Sequence, residues 1–328
     1  MRNKNEVITI LRSHEISNNQ KSLFLFIQTI VCLLVFVSLS IYIFQFSILL
    51  SFAISIISGL FLCRVFVLQH DACHLSLFTN NTHNKISALM LGFLSMVPSR
   101  LWNHIHNTHH GLVGNLDTRN KNPELWTLTV NEYKQSSVFK RIFYRFARSV
   151  VFRLIITPAL WIIAPRFPIP HLGLKINLSI LTHNIFYAII LYFIIINNSF
   201  DVFAITYLWP LYIFNFMASI MFYLQHQYEN TYWEENEKWD LFEASIHGSS
   251  HLKVGKFIAW ISGNVGCHHV HHLNTKIPCY KLPEATEDVN KMLNIEPIVI
   301  KDLFYHLNCV LWDTKRNKLI SFKELNEL

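Results

Sequence analysis

Three short stretches of this chain repeat one residue type at spacings that ordinary packing does not need. His70 and His74 stand four apart in HDACH; His106, His109 and His110 form HxxHH; His268, His271 and His272 form it again in HHVHH. On a helix, positions i, i+3 and i+4 lie on neighbouring rows, so each stretch can turn its imidazoles toward one place. Crowded imidazoles repel one another once protonated, and a bound metal keeps them neutral. His226, in LQHQYENTYW, is a ninth candidate because it ends an apolar run. Nine imidazoles exceed the roughly four to six positions that one ion offers, so two metals fit. Neutral imidazole suits iron, copper and zinc alike. The spread is wrong for a structural zinc, which takes four ligands in a compact set, often with cysteine.

The other histidines read differently. His14, His83, His171, His183 and His306 are isolated and are expected at the surface, at caps or in packing. His104 and His269 lie beside the boxes but off their spacing, and His247 and His251 keep an i, i+4 spacing but the Gly-Ser-Ser between them reads as a turn; all four are expected to support rather than ligate. Six cysteines form no CxxC pair, and Cys73 and Cys267 adjoin the boxes, which predicts reduced thiols and a cytosolic-side setting.

These histidines need elements that hold them at one level. The 328 residues are 52% hydrophobic and only 15% charged, whereas soluble domains carry about a quarter charged residues. An integral membrane protein with a sizeable aqueous part is expected. Two apolar blocks, each long enough for two crossings, predict spans at about 23–44, 47–69, 178–197 and 202–225. The aqueous cap is then 70–177 and 226–328, within a single domain over 1–328, all-α in class. The polar start and the length of the first apolar run are unlike a cleavable signal peptide.

Both hairpin turns lack Lys and Arg, while Arg2, Lys4, Arg12 and Lys21 precede the first pair and Lys134, Lys140, Arg141, Arg145 and Arg148 lie between the pairs. The positive-inside rule therefore places both termini and all the boxes on the cytoplasmic face. Residues 86–98 are too short to span. Residues 150–164 hold Arg153 and Pro158 and predict an interfacial or partly embedded helix. Were either to cross alone, the boxes would face opposite compartments. Arg64, inside the second span, is expected to snorkel, with a role near the site or a lipid headgroup as the alternative. The net charge of +7 forms no aromatic-studded basic stripe, so nucleic acid is not an expected partner.

Boxes of the form HxxxH, HxxHH and HxxHH set among two hydrophobic hairpins resemble the membrane fatty acid desaturases. WNHIHNTHHGLVGNLD, WTLTVNEY, QHQYENTYW and GSSHLKVGKFIAWISGNVGCHHVHHLNTKIPCYKL are similar to the acyl-lipid desaturases of bacterial and cyanobacterial type, the omega-6 (delta-12) group in particular. The resemblance runs from about His70 to Leu282. It implies two iron ions held by His70, His74, His106, His109, His110, His226, His268, His271 and His272. It also implies use of O2 and two electrons to place a cis double bond in a lipid-linked acyl chain. No fused cytochrome b5 motif is visible, so a separate ferredoxin- or cytochrome b5-like donor is implied. The acyl-CoA branch of the superfamily has an asparagine where Phe222 stands here, and Asn264, four residues before His268, is a candidate for a comparable role.

A methylene far from any carbonyl has no acidic proton, so acid–base catalysis cannot reach it, whereas an oxidant made from O2 at a metal pair can. Carboxylates or carbonyls on the far ring nitrogens would orient the imidazoles. Asp71, Asp117, Glu229 and Asp240 are the candidate carboxylates. The rival readings are a histidine-box hydroxylase or ketolase acting on a sterol, alkane or carotenoid, and, in a different class, a membrane metal transporter or sensor. Transport would need ligands at mid-membrane, whereas these cluster at span ends.

Overall fold

Polar residues ahead of the apolar runs start the first two long helices. The computed structural model describes residues 2–121 and 126–327. In it, Asn18 caps Asn19–Phe44 by accepting from the Lys21 amide at 3.0 Å, and Ser47 caps Ile48–Cys73 by accepting from Leu50 at 3.2 Å. Such caps satisfy N–H groups that a helix start leaves unpaired. These are the first and second spans. Leu174–Ile196 is the third and Phe200–His226 the fourth, and all four are long and apolar enough to cross a membrane. The first and second helices outrun the expected spans because Asn19–Ser22 and His70–Cys73 carry them beyond the apolar residues.

The second and fourth spans form the inner pair. Half of the second span's most apolar window is buried and 39% of the fourth's, against 22% and 17% for the first and third. A Cβ on Gly59 would stand 2.7 Å from the Ile213 Cβ and 2.9 Å from the Pro210 carbonyl oxygen, so only glycine permits this approach. Ser40 and Ser51 pin the first hairpin, each hydroxyl donating to the other's carbonyl at 3.0 and 2.8 Å. Arg64 does not snorkel. It is 5% exposed, its guanidinium lies 4.5 Å from the centre of the Trp260 ring, and it donates to the Trp260 carbonyl. Aromatic face and carbonyl replace the water that snorkelling would have sought.

The 86–98 stretch lies mainly in the helix Asn81–Ser95, which packs beside the second span. Residues 150–164 fall in the second half of a pair, Val138–Ala147 and Phe152–Arg166, bent by 58° at a short break. The cap is short helices plus two small sheets that an all-α reading omits. Leu128–Thr129 runs parallel to Leu311–Asp313, which pairs antiparallel with Lys318–Ile320; Leu252–Lys253 runs parallel to Ile298–Val299. Both ends of the chain return to this cap. Lys4 reaches Asp240 at 3.1 Å and His14 reaches Asp288 at 3.0 Å, while residues 311–313 join the three-stranded sheet.

Candidate metal centre

Two span ends and two cap helices carry the nine imidazoles. His70 lies in the last turn of the second span and His74 caps it, its amide donating to the His70 carbonyl at 3.1 Å. Ser99–Leu112, entered through Pro98, carries His106, His109 and His110. His226 ends the fourth span, and the short helix His268–Leu273 carries His268, His271 and His272.

Their side chains converge as two groups. His70, His74, His106, His110 and His271 form one; His109, His226, His268 and His272 form the other. Within each, one nitrogen per ring lies within 4.8 Å of all the others. Nε2 of His106 lies 2.9 Å from that of His70 and 3.0 Å from that of His110, and His110 lies 3.1 Å from His271. In the second group, Nε2 of His226 lies 3.0 Å from His109 and 2.9 Å from His268, and His268 lies 3.1 Å from His272. The groups adjoin, the His110 and His272 rings being 4.1 Å apart.

Proton bookkeeping shows why these contacts fit a cation. The Nδ1 of His226 lies 2.9 Å from the Gly248 carbonyl, which can only accept, so the ring proton sits on Nδ1 and Nε2 presents a lone pair. His70 repeats this, with Nδ1 3.3 Å from an Asp71 carboxylate oxygen. Lone pairs facing one another at 3 Å are repulsive unless a positive ion lies between them. Burial, and then the neighbouring imidazoles, push the pKa values of His74, His106, His109, His110, His268, His271 and His272 well below the ordinary 6.5. The rings are therefore neutral, and each of the two groups could hold a metal ion.

Of the residues expected behind the ligands, Asp71 alone touches a ligating ring, and its other oxygen accepts the Cys279 amide at 2.7 Å. Sequence reasoning missed the Gly248 carbonyl, a backbone group that no side-chain pattern marks. Three other candidates make their contacts elsewhere. Asp117 accepts the Asn236 amide at 2.8 Å; Glu229 pairs with Lys318 at 2.6 Å; Asn264 donates to the Cys279 carbonyl at 3.0 Å. Each is held by the loop or strand beside it rather than by an imidazole. Asp240 caps Leu241–His247 and pairs with Lys4. His104 and His247 belong to neither group, His247 facing Glu243 at 3.7 Å. His269 and His251 are bridged by Asn290, 2.9 Å from each.

Helices 106–110 and 226 meet in one centre although the bent pair and two spans lie between them. An even number of crossings must therefore separate them, so the bent pair enters and leaves on the same face. Beside it, a cavity of about 260 Å³ is bounded by Trp126, Arg148, Arg153, Trp161, Tyr223 and Phe222 among others. Phe222 lines it, with its ring 5.3 Å from His109 and 5.1 Å from His226.

Imidazoles from three boxes and a span end, gathered beside a bundle of apolar helices, match what comparison with known proteins finds. The model of the family described as fatty acid desaturase matches residues 47–296. The chain belongs to the fatty acid desaturase family. This desaturase is 32% identical to a fatty acid desaturase of Bacillus subtilis over 86% of its own length and 80% of that protein's. It is 25% identical to an sn-1 oleoyl-lipid 12-desaturase of Picosynechococcus sp., covering 72% of this chain and 67% of that one. It is also 25% identical to an sn-1 acyl-lipid omega-3 desaturase (ferredoxin) of Synechocystis sp., over 73% and 67%. The desaturase is an integral membrane oxidoreductase that introduces double bonds into fatty acyl chains, built on four candidate spans.

Proposed function

We propose that this desaturase places a cis double bond in an acyl chain esterified to a membrane lipid, using O2 at two iron ions. One iron is assigned to His70, His74, His106, His110 and His271, the other to His109, His226, His268 and His272. Two nitrogens about 2.1 Å from a common ion stand about 3.0 Å apart at right angles and about 3.4 Å apart in a tetrahedron. Nitrogen contacts of 2.9–3.1 Å within each group therefore bring neighbouring rings close enough to share one ion. This convergence of nine imidazoles carries the reading.

When bound, the metal pair supplies the oxidising power that an unactivated methylene pair requires. The chain's own residues do the rest. Asp71 and Gly248 fix the tautomers of His70 and His226, so both lone pairs point inward. Phe222 and Trp161, in contact at 6.1 Å, line the cavity that takes the acyl chain and keeps water from it. Two protons and two electrons leave the chain. Two more electrons come from a ferredoxin- or cytochrome b5-like donor and two protons from water, and O2 leaves as two waters. The domain is proposed to be single over 1–328, with the centre and both termini on the cytoplasmic face, where the Lys and Arg excess lies.

The test is expression in a host without polyunsaturated lipids, with acyl-chain mass spectrometry and iron quantification. Products two hydrogens lighter, with two irons per chain, are expected. Products one oxygen heavier would make it a hydroxylase instead, and zinc at full occupancy with no product would end the redox reading.

A further inference from the structure

Two arginines are buried where the bent helix pair breaks, and no part of the metal chemistry uses them. Arg148 ends Val138–Ala147 and Arg153 opens the second half; each is over nine-tenths buried. Both line the 260 Å³ cavity, and their guanidiniums lie 5.3 and 4.1 Å from the centre of the Tyr223 ring. Arg148 donates to the Gln227 side-chain oxygen Oε1 at 2.6 Å and more weakly to the Tyr223 hydroxyl at 3.4 Å. Arg153 donates to the Leu307 and Ser149 carbonyls, the latter at 3.3 Å. Neither meets a carboxylate among the described residues, so two positive charges share one small space. Three buried polar atoms of the lining have no hydrogen-bond partner there: Arg148 Nε, Arg153 Nη1 and the Ser219 hydroxyl. An unpaired buried guanidinium N–H is costly, and two together call for an anion.

The surroundings say where that anion comes from. Before the break the helix exposes Phe139, Ile142, Phe143 and Phe146 beside Lys140 and Arg145; after it the exposed residues are Val151, Ile155, Leu160 and Ile163. This change from mixed basic and apolar to purely apolar is the composition of a helix passing from the headgroup layer into hydrocarbon. The arginines sit at the change, and the cavity they line is also lined by Phe222, whose ring packs against His109 and His226.

We propose that Arg148 and Arg153 bind the phosphodiester of a glycerophospholipid whose acyl chain enters the cavity, so that the substrate class is a phospholipid. This rests on the acyl-lipid reading above. Planar guanidiniums match phosphate oxygens with paired, charge-assisted hydrogen bonds.

The experiment uses the iron-loaded protein in mild detergent, with retained lipid measured by native mass spectrometry. Dipalmitoylphosphatidylglycerol, dipalmitoylglycerol and inorganic phosphate are the probes. Wild-type protein should retain the phospholipid at least about tenfold better than dipalmitoylglycerol, the size expected for hydrogen bonds to a charged group. R148Q/R153Q should lose that preference and R148K/R153K should keep part of it. Equal retention of the two lipids by wild-type protein overturns the proposal without any variant, and so does competition by inorganic phosphate alone at matched concentration. A phospholipid preference that survives R148Q/R153Q overturns it as well. Phospholipid held by these arginines in a protein that makes no unsaturated chain would uphold this site and sink the desaturation of that lipid.

Discussion

The two histidine groups are built from the same parts in opposite proportions. The Ser99–Leu112 helix gives its i, i+4 pair, His106 and His110, to the first group and His109 to the second. The His268–Leu273 helix gives its pair, His268 and His272, to the second and His271 to the first. HxxHH is thus the spacing of a helix that straddles two ions. The spans break the symmetry. The second span ends in a pair, His70 and His74, whereas the fourth ends in His226 alone, with Phe222 one turn earlier where a partner would stand. The first group is therefore five imidazoles, and the second is four with an aromatic ring beside it that also lines the cavity. The second group, with one imidazole fewer, has the smaller donor set.

The largest effect should come from the group with nothing to spare. His226→Ala leaves three imidazoles and should remove one iron per chain and essentially all activity. Loss of a residue behind a ligand already costs about 10–100-fold, so loss of the ligand should exceed that. His74→Ala leaves four imidazoles in the first group. Activity should fall, but iron measured by mass spectrometry should stay closer to two per chain than in His226→Ala. Equal iron loss in both variants would break the distinction between five and four. His14→Ala, at a surface pair with Asp288, should leave both readouts unchanged.

A smaller effect sharpens the contrast in what orients the rings. Asp71→Asn weakens the hold on His70 and should lower iron affinity or activity about 10–100-fold. The His226 ring, held by a backbone carbonyl, has no matching side chain to remove. Glu229→Gln and Asp117→Asn should leave iron content unchanged. The part-exposed Glu229–Lys318 pair should cost at most about 1 kcal/mol of stability. A drop in iron with Glu229→Gln would return that carboxylate to the centre.

These contrasts also show what the residues themselves announce. The nine imidazoles were legible because ligand spacing on a helix is local, and the four spans because twenty apolar residues are a local signal too. The partners behind the rings were not. Glu229 meets Lys318 across 89 positions, and Gly248 acts through its carbonyl. Strands of two or three residues, such as Leu128–Thr129 against Leu311–Trp312, are too short to alternate visibly. Arg64 looked like a snorkelling residue because the Trp260 ring that covers it lies almost two hundred positions away.

The smallest expected effect concerns acid. Burial lowers the folded-state pKa of seven of the nine imidazoles below 6.5. Above about pH 6.5 both folded and unfolded chains hold these rings neutral, so stability should not change with pH on their account. Below it the unfolded chain takes up protons that the folded chain refuses, and the metal-free protein should lose stability steadily as pH falls toward 4. Because the folded rings are already neutral, protons compete poorly for them. The rise in Tm on adding iron should therefore be nearly constant between about pH 8 and 6.5. Differential scanning of iron-loaded and metal-free protein across that range checks this. A gap that closes steeply by pH 6.5 would mean that the rings carry protons until the metal displaces them. The two groups would then be open and wet rather than enclosed.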